Sequence, residues 1–427
     1  MISGTKFKLI APENRIPFIL VTALFLFWGI PNNLNDILIK QFMKSFELSR
    51  LEAGLIQSAF YLGYFLLAIP AAMIMRKYSY KVGLVIGMIF YSIGTFLFWP
   101  AAHSGEYLFF LIALFVIASG LSFLETGANP FIAGLGSPES SERRLNFSQA
   151  FNPFGSILGV LIGTIFIFSG IEHDQAKVEM LKQTGEYSAY LESETMRVVR
   201  PYMVLGVIIF LWAILIMRTK FPEMASEEKK SENKGNPREL FKHRHFLTGV
   251  LAQFCYVGAQ VGTWSYFIQY AQDYTGITEK SAGLFLTGTL LAFLIGRFSA
   301  TVIMKYIKPG KLMGLYAIMN ILLMSIAVFF PGWVGVWSVF LSSFFMSLMF
   351  PTIFALGIKG LGANTKIAGS IIVMAIIGGG IFTPLMGLIA GKSMANAMLI
   401  PLGCYCVISF YAFWWSVPKN LTEDKIT

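Results

Sequence analysis

The sequence predicts an all-α polytopic membrane protein, with about twelve transmembrane helices arranged as two six-helix halves. Of its 427 residues, 56% are hydrophobic and only 13% charged, with a mean hydropathy of +0.65, whereas a soluble domain carries roughly a quarter charged residues. Such a chain cannot hide its apolar surface in a globule, so lipid is its solvent. Apolar stretches of about 20 residues, the length that crosses a bilayer core as a helix, recur along nearly the whole chain. One long hydrophilic interruption divides them six and six.

Read between charged or turn-rich breaks, the candidate helices fall near 17–43, 51–75, 82–102, 107–135, 146–169 and 200–219, then 247–272, 281–306, 311–330, 333–358, 366–391 and 396–417. The first follows a short basic segment with Lys6, Lys8 and Arg15. It is too long for a secretory signal and has no small-residue cleavage site, so it is expected to serve as its own insertion signal. Basic turns separate the second helix from the third (Arg76, Lys77, Lys81) and the fourth from the fifth (Arg143, Arg144). The stretch 170–199 is acidic on balance, with Glu172, Asp174, Glu179, Glu186, Glu192 and Glu194 against Lys177, Lys182, Arg197 and Arg200. From Arg218 to Arg244 the chain carries Glu227, Glu228, Lys229, Lys230, Glu232, Lys234 and Arg238 with almost nothing apolar, and reads as a linker. The expected division is 1–218 for the N-terminal half, 219–245 for a cytoplasmic linker and 246–427 for the C-terminal half.

Lys and Arg in short loops are retained on the cytoplasmic side. Placing both termini inside puts the two basic turns, the linker, Lys305, Lys308 and Lys311, and then Lys359 and Lys366 on one face. The opposite loops carry chiefly Lys40, Lys44, Arg50, Lys280 and Lys392, and the acidic stretch belongs with them outside. A faint repeat supports the two halves. Met75 is followed by a basic turn ending at Lys81, and Met304 by one ending at Lys311. Likewise Asn129-Pro130-Phe131-Ile132 leads to Gly134-Leu135-Gly136 as Phe350-Pro351-Thr352-Ile353 leads to Gly360-Leu361-Gly362. Such a parallel repeat of six spans is the pattern of major facilitator transporters.

Other function classes are excluded on composition. The net charge of +10 is spread over short connections and forms no continuous patch, which argues against a nucleic-acid partner. Cys255, Cys404 and Cys406 lie inside apolar runs with no metal-binding or redox spacing, and the four histidines fall in connecting segments, where they read as solvated. With no metal-ligand cluster, nucleophile elbow or His-acid pair, nothing points to an enzyme, a metal or a bound cofactor.

Ionisable residues inside a bilayer are costly, roughly 2.5–3.5 kcal/mol at the helix centre on insertion scales, and so mark function. Asp36, Glu125 and Arg297 are the three. Trp28, Asn32 and Asp36 repeat at i,i+4 on one face of the first helix, with Asn33 and Asn35 beside them. Glu125 and Asn129 share a face of the fourth, Gln149 and Asn152 of the fifth, and Gln253, Tyr256, Gln260 and Trp264 form a stripe on the seventh. Amides that donate and accept without charge, set beside flat aromatic faces, suit a hydroxylated ligand such as a sugar. A carboxylic acid in low dielectric resists ionisation, so Glu125 is suited to holding a proton until water or substrate alters its surroundings. Asp36, nearer the outer end, is expected to be hydrated and to act as an entry-side partner; pairing of either acid with Arg297 is the structural alternative. Small residues read as packing features. Gly155, Gly159 and Gly163 form overlapping G-x-x-x-G steps, and Gly378-Gly379-Gly380 is expected to loosen its helix for a rocking motion.

Asn32-Asn33-Leu34-Asn35-Asp36-Ile37-Leu38, Gly54-Leu55-Ile56-Gln57-Ser58-Ala59-Phe60-Tyr61, Leu124-Glu125-Thr126 and Ala128-Asn129-Pro130-Phe131 closely resemble the fucose:proton symporter family of the major facilitator superfamily. So do Arg144-Leu145-Asn146, Gln149, Phe151-Asn152, Cys255-Tyr256-Val257-Gly258-Ala259-Gln260 and Trp264-Ser265-Tyr266, and the likeness runs through nearly the whole chain. The resemblance implies a monomeric carrier in the bacterial inner membrane that takes up L-fucose with protons by alternating access, needing no cofactor. It implies protonation and substrate roles for Asp36 and Glu125, and places Asn33, Gln149 and Asn152 in the sugar cavity. Glucose/galactose permeases are similar but tend to carry Gln in place of Glu125, which favours the fucose branch. Pro153 where a small polar residue is expected, Gln269 where a basic one is, and Phe350 where Tyr is, bear on which sugar is preferred.

Overall fold

The structure, a computed structural model, describes residues 12–136, 144, 147–149, 151–171, 175–222, 237–304, 306–361 and 364–416, and among them there is helix but no strand. Most of the linker, together with Arg143, Lys305 and His173, lies outside the described residues.

The principal helices are α1 (Arg15–Ser45), α2 (Arg50–Lys77), α3 (Tyr80–Phe96, continued by Phe98–Ser104), α4 (Tyr107–Gly134), α5 (Phe151–Ile162, extended by a π-helical turn Gly163–Ile167) and α6 (Val199–Arg218). The second set is α7 (Arg244–Thr275), α8 (Glu279–Ile303), α9 (Pro309–Phe329), α10 (Trp333–Met346, resumed as Met349–Ile358), α11 (Thr365–Met374, a 3-10 turn Ala375–Ile377, then Gly378–Ala390) and α12 (Leu399–Phe410, with a π-helical turn Tyr411–Trp415). Among the described residues, 11 helices are long and apolar enough to cross a membrane. The exception is α7, whose 32 residues are long enough at about 1.5 Å each; its interior glutamines and tyrosines lower its hydropathy. The outward faces of the bundle are apolar and exposed, as at Leu211, Leu322 and Trp414, because lipid replaces a core there.

Packing repeats with an offset of six. In the first set α1 packs on α5, α2 on α4, and α3 on both α4 and α6; in the second α7 packs on α11, α8 on α10, and α9 on both α10 and α12. The sets meet along α2 with α11 and α5 with α8, a pair of contacts related by the same offset. The glycine steps of α5 serve that packing. A Cβ at Gly155 would strike the Leu26 carbonyl of α1, and one at Gly159 the Ile30 carbonyl, so α5 lies backbone to backbone against α1. The triple glycine of α11 follows a 3-10 turn and wedges between neighbours: Gly378 lies on Phe254 of α7, and Gly379 and Gly380 on Tyr61 and Ser58 of α2.

Three local features correct or add to what the sequence predicts. The acidic stretch 170–199 is largely helical, as Gln175–Thr184 and Tyr187–Met196, and buries Glu194 and Thr195 beside α1. His245 is not a solvated loop residue: it sits in the first turn of α7, 5% exposed, with its Nε2 2.9 Å from the Lys359 carbonyl. Cys255, distant from Cys404 in sequence, meets it side by side where α7 packs on α12.

Candidate functional site

A cavity of about 210 Å³ lies between the two sets of helices, with walls drawn from α1, α2, α4, α5, α7, α8, α10 and α11. Of the residues expected there, Trp28, Asn33, Asp36, Glu125, Asn129, Gln149, Asn152, Tyr256, Gln260 and Trp264 line it, and Gln253 does not. Gln253 is fully buried with neither amide atom paired. The stripe on α7 continues in sequence past the end of the cavity.

The walls are held by hydrogen bonds and aromatic contacts. Asn152 Nδ2 donates to the Phe25 carbonyl at 3.3 Å, which ties α5 to α1. Asn129 Nδ2 donates to the Glu125 carbonyl at 3.1 Å, and its Oδ1 accepts from Gln149 Nε2 at 3.1 Å, joining α4 to the start of α5. Trp28 packs on Phe25 at 4.6 Å between ring centroids. Trp264 donates its indole N–H to Ser343 Oγ at 2.9 Å and meets Phe293 edge-on at 5.2 Å. Arg297 lies over the Phe293 ring at 4.7 Å and donates from Nε to the Ser347 carbonyl at 3.3 Å. Neither acid pairs with it. Polar groups therefore come mainly from α1, α2, α4 and α5, while Val257, Val261, Leu290, Phe293, Phe350 and Ile376 supply an apolar wall opposite.

The two acids sit in unlike surroundings. Glu125 is half-buried, and no described residue gives its carboxyl group a hydrogen bond. Asp36 is 2% exposed. Its Oδ1 accepts from Gln57 Nε2 at 3.1 Å and from Ser265 Oγ at 2.9 Å, and its Oδ2 from Asn33 Nδ2 at 3.2 Å. The expected hydration of Asp36 is thus replaced by enclosure, because α7 covers it.

Beyond Asp36 the two sets of helices are bound together at the end of the bundle away from the linker. Ser49 opens α2 with a capping box to Glu52, which presents Arg50 to pair with Asp273 of α7 and to donate to the Ala390 carbonyl of α11. Tyr266 donates its hydroxyl to the Arg50 carbonyl at 2.7 Å. Lys44 lies 3.0 Å from Glu194 and 3.8 Å from Glu279 of α8, and Glu279 also accepts from the Gly170 N–H at 3.0 Å. Toward the linker end the lining loosens: Asn129 and Asn152 are half-buried and Gln149 is exposed. Among the described residues the cavity is closed at the far end and is less covered toward the linker.

Several lining residues lie outside the set the sequence predicts. Gln57, Tyr61 and Tyr64 follow i,i+4,i+7 on α2, a stripe readable in the sequence. Ser265, which does not line the cavity but donates to Asp36 from behind it, carries no such signal, since its contact depends on which face of α7 meets α1. Among the described residues no group of acids, histidines and cysteines could hold a metal.

Comparison with known proteins gives a consistent picture. The Major Facilitator Superfamily profile matches residues 18–366. An L-fucose-proton symporter of Escherichia coli is 46% identical, over 93% of this chain and 92% of the relative. A glucose/galactose transporter of Brucella abortus is 34% identical, over 92% of each. A crystal structure of a transporter of this superfamily, FucP, in its outward conformation superposes with a TM-score of 0.71 at 45% identity, covering 94% of this chain and 98% of that one.

Proposed function

The chain belongs to the major facilitator superfamily, and on that premise we propose that it is a proton-coupled symporter that imports L-fucose, or a closely related sugar, across the bacterial cytoplasmic membrane. The observation that carries the reading is one cavity between the halves holding two carboxyl groups among amides and aromatic rings. Its volume of about 210 Å³ lies below the roughly 300–1,000 Å³ of pockets for drug-sized ligands, a size that suits a smaller ligand such as one monosaccharide. The amides hold hydroxyls, and the apolar wall opposite meets the ring face and the methyl group of a deoxy sugar.

Both termini and the linker belong in the cytoplasm on this reading, so the far end is the outer face and the structure is closed outward. The modest superposition on a close relative in its outward conformation agrees with halves that are tilted differently in this chain. Asp36 and Glu125 take up protons when the cavity faces out, sugar binds among Asn33, Asn129, Gln149, Asn152, Tyr256, Gln260 and Trp264, and the halves rock to the outward-closed form. Sugar and protons then leave toward the linker end. The carrier acts as a monomer, with protons as its coupling ion.

A pH gradient imposed on vesicles tests the reading. L-fucose should accumulate only when the outside is acidic, with the outer medium alkalinised on sugar addition. The second reading, a glucose/galactose symporter, rests on the Brucella relative; preferential accumulation of D-galactose over L-fucose would favour it.

A further inference from the structure

We infer that Ser265 is a positioning residue for proton release: closure of the far end brings its hydroxyl onto Asp36, where it favours the ionised acid and sends the proton to the linker side. The inference deepens the proposed function and rests on it.

The geometry is a closed triangle across the two halves. Gln57 Nε2 reaches Asp36 Oδ1 at 3.1 Å and Ser265 Oγ at 2.9 Å, and Ser265 Oγ stands 2.9 Å from the same carboxylate oxygen. Gln57 uses one amide hydrogen for each contact, and Ser265 has a single hydroxyl hydrogen, which goes to Asp36. Asp36 and Gln57 belong to α1 and α2, whereas Ser265 belongs to α7. When the halves part at this end, the acid keeps the donors of its own half and loses that of the other. A donor present in one conformation alone makes proton affinity depend on conformation, which is what coupling requires.

The same cluster has room for the proton. Gln57 Oε1 is buried and without a partner. A half-turn of the amide would present it to a protonated Asp36, whose O–H then donates to it. On release, that O–H bond breaks, its electron pair stays on the carboxylate, and the proton passes to cavity water at the open end. The titratable and charged groups around the cluster make no hydrogen bond to Asp36 among the described residues. Tyr61 on α2 faces Asp36, with Glu125 on α4, Tyr256 on α7 and Arg297 on α8 across the cavity. Lys40 and Lys44 lie further along α1, and the described parts of α5 (Phe151–Ile167) and α11 beyond Gly378 carry no titratable group facing it.

The test uses the full chain in right-side-out membrane vesicles. L-fucose counterflow at equal pH, which needs no net proton release, is compared with pH-driven accumulation over a series of internal pH values. Ser265→Ala should keep counterflow within about twofold, lose accumulation by about tenfold at neutral internal pH, and regain it when the interior is about one unit more alkaline, the effect of one charge-assisted hydrogen bond. Ser265→Thr, which keeps the hydroxyl, should restore the wild-type profile. An Ala variant with the wild-type internal-pH profile overturns the inference, as does an equal fall of both activities with no shift along the pH axis. A wild type that exchanges D-galactose but not L-fucose overturns the sugar reading alone, and the two variants are then compared with galactose.

Discussion

At the far end of the cavity Asp36 is enclosed by three donors, one from the opposite half, and lies beneath two ion pairs that join the halves. Toward the linker end Glu125 looks into the cavity with no hydrogen bond to its carboxyl group from any described residue, near a solvent-exposed Gln149. The same residue chemistry thus meets two environments. An acid whose partners cross the interface reports on whether the halves are closed, whereas an acid open to the cavity reports on what the cavity contains. Sugar-dependent and conformation-dependent proton binding are separable on this view, and substitutions at the two ends should fail in different ways.

The largest contrast is expected from Asp36→Asn. The amide retains most of the local hydrogen bonds but cannot carry a proton, so pH-driven accumulation should fall to equilibrium with the medium while counterflow persists. Accumulation against a gradient in that variant would show that coupling does not pass through the far end.

Glu279→Gln should come next. Glu279 is fully buried, and removing one member of a buried ion pair costs ~3–5 kcal/mol. Lys44 keeps Glu194, the Ser169 hydroxyl and the Ile171 carbonyl and is partly exposed, which reduces the loss to a shift of roughly tenfold to a hundredfold toward an open far end. A cysteine placed at Gln269, which lies buried on α7 against Met43 of α1, should then react correspondingly faster with an impermeant maleimide. Labelling at the wild-type rate would mean that Glu279 does not hold the far end shut.

The open end gives a smaller effect. Glu125→Gln exchanges the O–H donor of the protonated acid for an amide at a single sugar hydroxyl, a difference of about 1.4 kcal/mol, so the KM for L-fucose should rise about tenfold and the external-pH dependence of binding should flatten. An unchanged KM with lost accumulation would instead make Glu125, and not Asp36, the acid that couples conformation to proton release.

The contrast between the ends also marks what was legible in the sequence. The α1 stripe Trp28, Asn32 and Asp36 lines the cavity as its spacing requires, and the α4 and α5 pairs join it, because polar residues within an apolar helix must face the bundle interior. The six-helix offset of the packing contacts likewise follows from apolar runs and a repeat. Periodicity fixes a face but not how far along the helix the cavity extends, and so it groups Gln253 with Tyr256. Nor does it say which helix lies opposite. The enclosure of Asp36 by Ser265, and the burial of Glu194 and His245, come from contacts between segments far apart in the chain.

Asp273→Asn should have the smallest effect at the far end, although its partner Arg50 makes the shorter contact. Side-chain exposure there is 22% for Arg50 and 33% for Asp273, against 0% for Glu279. A solvated ion pair is worth up to about 1 kcal/mol, and Arg50 retains the Ala390 carbonyl, so maleimide labelling at position 269 should rise less than about fivefold. Raising the salt concentration should reduce that increment while leaving the Glu279→Gln effect nearly intact, because screening acts on exposed charges far more than on buried ones. If salt instead removed both effects alike, the far end would be held by surface electrostatics, and burial of Glu279 would not distinguish the two pairs.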